Sequence, residues 1–259
     1  MPGSPERSLA FVACINDDTV LEQCLLRSDC LASHQLVEKR GYASASRAYN
    51  EELVGKAADV YVFVHQDVYL PKGWEAKLHA AIDLIEATDP DWAVIGLSGK
   101  ARDGRAVGHV WSSGMQKMVG TPGFAPVPVL AIDELAIIVR AASGVTFDDA
   151  FAGFHMYGTD IVLSANAAGK TSYVIDAPVI HDSKPVSSYF GGFLEAYRYL
   201  RRKWWDILPV ESSCTTISRT MLGHLKMATL HRLERKFSAP TPRPRRDAQT
   251  IARQLGLES

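Results

Sequence analysis

His65 and Asp67 stand two residues apart, directly after the apolar run 60–64. On an extended chain that spacing puts both side chains on one face. An imidazole and a carboxylate so placed can share a divalent cation. The run before them has the length and the β-branched and aromatic content of an interior parallel strand. The C-terminal tip of such a strand is where open α/β sheets bind ligands. The same residues admit a plainer account, in which Asp67 caps a helix beginning near Pro71 and His65 is a half-buried histidine with a satisfied ring.

The elements that must position this pair can be read outward from it. Residues 9–15 form a first buried strand, ended by Asn16-Asp17-Asp18, which can cap a helix over 19–31. A short strand at 35–37 and a helix over 44–56, with Ala48 and Leu53 inward, lead into the strand that ends at His65. A helix over 73–87 stops at Asp89-Pro90, and 92–97 is a further strand. This alternation predicts an α/β fold with a mostly parallel, Rossmann-like sheet flanked by helices. From 99 to 128 glycines and prolines punctuate short strands or loops. Two apolar runs, 129–132 and 135–139, flank Asp133-Glu134. Residues 147–157 read as an aromatic loop, 160–169 as a helix with a glycine stop, and 172–175 as a short strand with His181 beyond it. An amphipathic helix is expected over 188–205, a second over 216–237, a Pro/Arg linker over 238–246 and one short helix in the last dozen residues. The domain reading is a catalytic body, 1–187, then basic amphipathic helices, 188–237, then a Pro/Arg-rich tail, 238–259.

Composition narrows the function classes. The 259 residues are 47% hydrophobic, enough for a sizeable core, and the net charge is −1. Between positions 198 and 246 there are 12 Lys or Arg against 3 Asp or Glu, so about +9 is set against about −10 elsewhere. That asymmetry suggests an acidic body with a basic appendage. No apolar run is long enough to span a membrane. No signal-like apolar segment follows the N-terminus, so a cytoplasmic location is expected. Cys14, Cys24, Cys30 and Cys214 contain no CxxC pair and read as reduced thiols. The absence of G-x-G-x-x-G, a Walker lysine loop or G-x-S-x-G counts against dehydrogenases, P-loop NTPases and α/β-hydrolases.

Two longer segments carry a resemblance. Residues 41–50, Gly41-Tyr42-Ala43-Ser44-Ala45-Ser46-Arg47-Ala48-Tyr49-Asn50, followed by 57–67 ending in His65-Gln66-Asp67, resemble the donor-site half of family-2-type glycosyltransferases of GT-A fold. Phe147-Asp148-Asp149 and then Tyr157-Gly158-Thr159-Asp160 are similar to that family's F-D-E and G-E-D-x-x-L segments. The subgroup with H-Q-D-V-Y-L-P and F-H-x-Y-G-x-D is a close match, and the resemblance spans roughly 9–205. It implies a GT-A-like sheet with a C-terminal helical extension. It also implies sugar transfer, inverting and metal-assisted, from a nucleotide-diphosphate donor, most simply a UDP-sugar, to a glycan or lipid-linked acceptor.

The residue roles follow from that resemblance. Asp67 matches the last Asp of D-x-D and would ligate Mn²⁺ or Mg²⁺, which stabilises the diphosphate leaving group. His65 replaces the first Asp; it would meet sugar, phosphate or metal, and an imidazole there leans toward Mn²⁺. A late histidine completes the metal shell in related enzymes, and His181 holds that position. Asp160 matches the Asp of G-E-D and would be the general base, with Thr159 standing where the family has Glu. Asn16 and Asp17 would hold base and ribose, with Ser44, Arg47, Asn50 and Gln66 in the same crevice. Asp133, Glu134 and His155 would line the acceptor or sugar pocket, whereas His109 reads as a packing residue. Tyr197, Trp204 and Trp205 beside Arg198, Arg201, Arg202 and Lys203 suit an acceptor groove, an oligomer contact or peripheral membrane contact; nucleic acid is not expected, and the oligomeric state is open. Two rivals stay in view: a non-catalytic nucleotide-sugar or glycan-binding protein of the same fold, motivated by His65 and Thr159, and a nucleotidyltransferase, which would want a glycine- and lysine-rich loop after the first strand.

Overall fold

The computed structural model describes residues 7–55, 57–183, 192–222, 225, 229 and 247–258. The N-terminal half alternates strand and helix: β1 (Leu9–Ile15), α1 (Asp18–Gln23), β2 (Leu36–Arg40), α2 (Ala45–Gly55), β3 (Val60–Val64), β4 (Val68–Tyr69), α3 (Trp74–Glu86) and β5 (Val94–Gly96). Four strands then follow with no helix between them: β6 (Ser98–Ala101), β7 (Ala106–Ser112), β8 (Lys117–Gly120) and β9 (Val127–Ile132). The chain continues through β10 (Ala136–Arg140), α4 (Tyr157–Ala167), β11 (Ser172–Val174), β12 (Val179–His181), α5 (Phe193–Lys203), the hairpin β13 (Val210–Glu211) and β14 (Thr216–Ile217), and α6 (Ala248–Gln254).

One twelve-stranded sheet runs β2-β1-β3-β10-β5-β11-β9-β6-β7-β12-β4, with β8 against β7. Side-chain alternation divides its core in two. Tyr61 and Phe63 of β3 face a cluster with Ala48, Tyr49 and Leu53 of α2, Ile161 of α4 and Tyr197 of α5. Val60, Val62 and Val64 face the opposite cluster, with Leu21 of α1 and Trp74, Leu78 and Ile82 of α3. Every residue of β3 is buried, and each such side chain contributes about 1.5–3 kcal/mol through removal from water.

The sheet is mixed rather than mostly parallel. β1 pairs in parallel with β2 and β3, but β10 lies antiparallel between β3 and β5. The chain leaves β5 at the C-terminal edge of the parallel strands and then forms β6 to β9, of which β9 pairs with β11. It re-enters the centre of the sheet from that same edge, so β10 must run backward. This inversion brings Asp133 and Glu134, just before β10, to the edge where β1 and β3 end.

Two expected helices are corrected. The helix over 19–31 stops at Gln23 and continues as 3₁₀ turns at Leu25–Arg27 and Asp29–Ala32. Ser28 between them is extended, and its Oγ accepts the Leu70 N–H at 2.9 Å, a tertiary bond that an unbroken helix would forgo. Residues 216–217 are a strand, because the β-branched pair Thr216-Ile217 finds a partner in Val210-Glu211. Most of the remainder of the expected second helix, the Pro/Arg linker and residues 188–191 lie outside the described residues. Among the described residues no helix is long and apolar enough to cross a membrane.

Candidate active site

The site is built at the C-terminal tips of β1, β3 and β12. His65 continues the parity of Tyr61 and Phe63, so its ring meets the α2–α4 layer. Its Nε2 lies 3.0 Å from the Tyr157 hydroxyl at the start of α4, and its backbone N–H donates to Leu135 O at 3.0 Å. The chain then turns, with Val68 N–H donating to His65 O at 3.1 Å. That turn sets Asp67 beside β12, where Asp182 N–H donates to Asp67 O at 2.8 Å.

His181 Nε2 is 3.5 Å from Asp67 Oδ1, and the His65 and His181 rings lie edge to face with centroids 6.1 Å apart. One ligand atom each from His65, Asp67 and His181 falls within 4.8 Å of the others. Burial would raise the Asp67 carboxyl, but the His181 hydrogen bond and the charges of His181 and His65 outweigh it and bring it to about 2. His65 is pushed below its ordinary value, chiefly by burial, despite the opposing pull of Asp67. His181 is raised: burial works against protonation, and the bond to Asp67 prevails. The set therefore offers a carboxylate that ionises readily, one imidazole whose proton affinity is lowered and one whose proton affinity is raised. The helix-cap account of Asp67 does not apply, since α3 is preceded by Gly73 with no capping side chain.

Gln66 turns to β1. Its Oε1 accepts Asn16 N–H at 2.9 Å and Asp17 N–H at 3.2 Å, and its Nε2 donates to Asn16 Oδ1 at 2.5 Å. Asp17 also caps α1 by accepting Val20 N–H at 3.2 Å, so Asn16, Asp17 and Gln66 form one rigid lip beside the His65–Asp67 turn.

Asp133 and Glu134 form the neighbouring wall. The charge of Asp133 favours protonation of both His65 and His181, whereas His155 disfavours it at His65. Glu134 Oε1 accepts Gly158 N–H at 3.2 Å, supplying the acceptor that the Met156 cap of α4 lacks. A side chain at 158 would put its Cβ 2.9 Å from Ile132 O and 3.3 Å from the Glu134 carboxylate, so glycine is required for this approach. Burial and the adjacent Asp133 push the Glu134 carboxyl up to about 8.

Other sequence candidates are spent elsewhere. Ser44 Oγ donates to Phe151 O at 2.7 Å and Arg47 Nε to Asp149 O at 2.9 Å. Asn50 Nδ2 donates to Phe147 O (2.8 Å) and Asp149 Oδ1 (2.7 Å), and its Oδ1 accepts Phe147 N–H at 2.9 Å. These three side chains hold the loop 147–153. Asp160 is 2% exposed; its two oxygens accept Lys203 Nζ and Trp204 Nε1, each at 2.8 Å. Burial raises its pKa against those two donors. His109 pairs with Asp176 at 2.7 Å, a packing role as expected. Residues that sequence reasoning did not assign are Tyr157, whose position in Tyr157-Gly158-Thr159-Asp160 was the available signal, and Lys203 with Trp204, whose charge and aromaticity pointed outward.

No family model matches the chain. It is 28% identical over 147 residues to a curated protein of Fuscovulum blasticum named "ATP synthase subunits region ORF 6", covering 54% of this chain and 58% of that one. The chain thus spans less than two thirds of that relative's length. Solved structures with a partly similar chain course include GalNAc-T7 with UDP, GalNAc and Mn²⁺ (TM-score 0.47, 13% identity, 89% of this chain and 55% of that). Two others are S. aureus TarS 1–349 with UDP-GlcNAc (0.45, 14%, 76% and 66%) and the mannosyltransferase PcManGT of Pyrobaculum calidifontis with GDP-Man and Mn²⁺ (0.42, 13%, 97% and 80%).

Proposed function

We propose that the protein is a glycosyltransferase of GT-A type, moving a sugar from a nucleotide-diphosphate donor, most simply a UDP-sugar, to a hydroxyl of a glycan or lipid-linked acceptor. The observation that carries this reading is the convergence of His65, Asp67 and His181 at the strand tips, beside the lip of Asn16, Asp17 and Gln66. A mixed imidazole and carboxylate set fits Mn²⁺ better than Mg²⁺. When bound, the cation would offset the charge of the leaving diphosphate. Tyr157 orients the His65 ring, and Asn16 and Asp17 offer acceptors to base and ribose.

For an inverting transfer one carboxylate must take the acceptor proton. Asp160 has both oxygens bonded to α5, so we assign that role to Glu134, which titrates closer to neutrality and stands beside Asp133. The proton leaves the attacking hydroxyl for the ionised form of Glu134, which gains population as pH rises toward about 8, while the new glycosidic bond forms and the diphosphate departs. The burial of Asp160 also favours a second reading, a nucleotide-sugar or glycan-binding protein without turnover.

Calorimetry with UDP and Mn²⁺, followed by donor hydrolysis and transfer assays, separates the readings. The expected result is Mn²⁺-dependent UDP binding and turnover. Asp67→Ala should abolish both while the fold is retained; Glu134→Gln should lose turnover by about 10²–10⁴-fold and keep UDP binding. Binding with no turnover of any donor would favour the second reading, and full activity of Asp67→Ala or in excess chelator would sink the metal role.

A further inference from the structure

α5 ends in Arg201-Arg202-Lys203 and is followed by Trp204-Trp205, and the fold divides these residues between two directions. Lys203 and Trp204 turn inward to Asp160. Arg201 Nε donates to Ser218 O at 3.2 Å and Arg219 O at 3.0 Å, which lays the segment after β14 alongside the end of α5. Trp205 stays 44% exposed, with the guanidinium carbons of Arg201 and Arg219 at 5.0 and 5.9 Å from its ring.

Other large apolar residues of the C-terminal region are also exposed: Ile207 at 51%, Leu222 at 70% and Leu225 at 56%. Leu222 and Leu225 are three residues apart and share one helical face, where Leu225 N–H donates to Met221 O at 3.0 Å. Arg198, Arg202 and Arg219 are exposed. Among the described residues none of the three has a carboxylate partner, in contrast to Lys203, which is neutralised by Asp148 and Asp160. The surface after α5 thus carries exposed indole and aliphatic groups and, among the described residues, guanidiniums without a carboxylate partner.

We propose that this face docks on an anionic lipid surface. Trp205, Ile207, Leu222 and Leu225 would enter the headgroup region, and Arg198, Arg202 and Arg219 would pair with lipid phosphates. An indole flanked by arginines suits that boundary, apolar on one side and anionic on the other. Charge selects lipid over a second copy of the chain, because two copies of this face would set like charges against each other. The proposal stands apart from the sugar-transfer reading, since docking needs no turnover.

Co-sedimentation of the full chain with vesicles tests it, using phosphatidylcholine alone or mixed with phosphatidylglycerol. Binding is expected to the mixed vesicles, to weaken with added salt, and to fall about fivefold for each of Arg198 and Arg202 replaced by Glu. Trp205→Ala should weaken it further, with the melting temperature and Mn²⁺ affinity unchanged. Should Trp205→Ala shift the melting temperature, Arg198→Glu with Arg202→Glu decides alone, since both side chains are exposed. Equal binding to both vesicle types, or full binding by the double arginine variant, would overturn the proposal. So would a dimer in sedimentation that Leu222→Glu dissociates, which would assign the face to a second copy.

Discussion

His181 Nε2 lies 3.5 Å from Asp67 Oδ1, and a cation that takes both competes with the proton that Asp67 favours on His181. Because Asp67 raises His181 against the effect of burial, Mn²⁺ affinity should climb as pH rises through the histidine range and fall below it. Calorimetry in buffers of different ionisation enthalpy should register more proton release on Mn²⁺ binding at mildly acidic pH than at higher pH. Glu134 works in the opposite sense to Asp67. Its folded pKa of about 8 lies above its ordinary value. The stability of the protonated carboxyl is therefore full below about pH 4.5 and is lost as pH rises through about 8. The wild-type melting temperature should drop from about pH 6 to about pH 9, and Glu134→Gln should flatten that slope. His65 and Asp67 were legible as candidates at a strand end, but a turn rather than an extended chain sets Asp67 in place. Their partner His181 lies more than a hundred residues away and joins them only because β12 pairs with β4, His181 opposite Val68.

At the scale of elements, helices and strands followed from periodicity, but the work of their polar residues did not. The inward face of α2 at Ala48 and Leu53 is apolar and readable; Asn50 looks like a ligand contact until the loop 147–153 is folded against it. Its three bonds to that loop make Asn50→Ala costly by about 2–4 kcal/mol, measurable by urea denaturation. The loss should appear in stability with donor affinity little changed, the reverse of what a nucleotide contact would give. The same reasoning separates Asp160 from Glu134. Asp160 lies in the first turn of α4, as a helix pattern predicts, yet its direction is set by Lys203 and Trp204 of a helix some forty residues later.

The whole molecule closes through its C-terminus. α6 buries Ala248, Ile251 and Ala252 against Tyr69 of β4, Ile180 of β12 and Cys24, Arg27 pairs with Asp247, and Glu258 receives the Tyr69 hydroxyl. Since β4 and β12 carry the turn after Asp67 and the His181 end, ending the chain at 246 should weaken Mn²⁺ binding by about tenfold or more, with the two main core clusters still folded. Titration of the truncated and full chains, with far-UV circular dichroism as the folding check, measures this. Alone, the sequence determined the α/β class and the burial of β3, because periodicity and β-branching are local properties. Only the tertiary structure decided that β10 runs backward and carries Glu134 to the site, that Asp160 is locked to α5, and that Ser44, Arg47 and Asn50 fasten a loop. Each of these depends on which distant backbone groups and charges come within hydrogen-bond reach, and that proximity is set by the order of strands in the sheet.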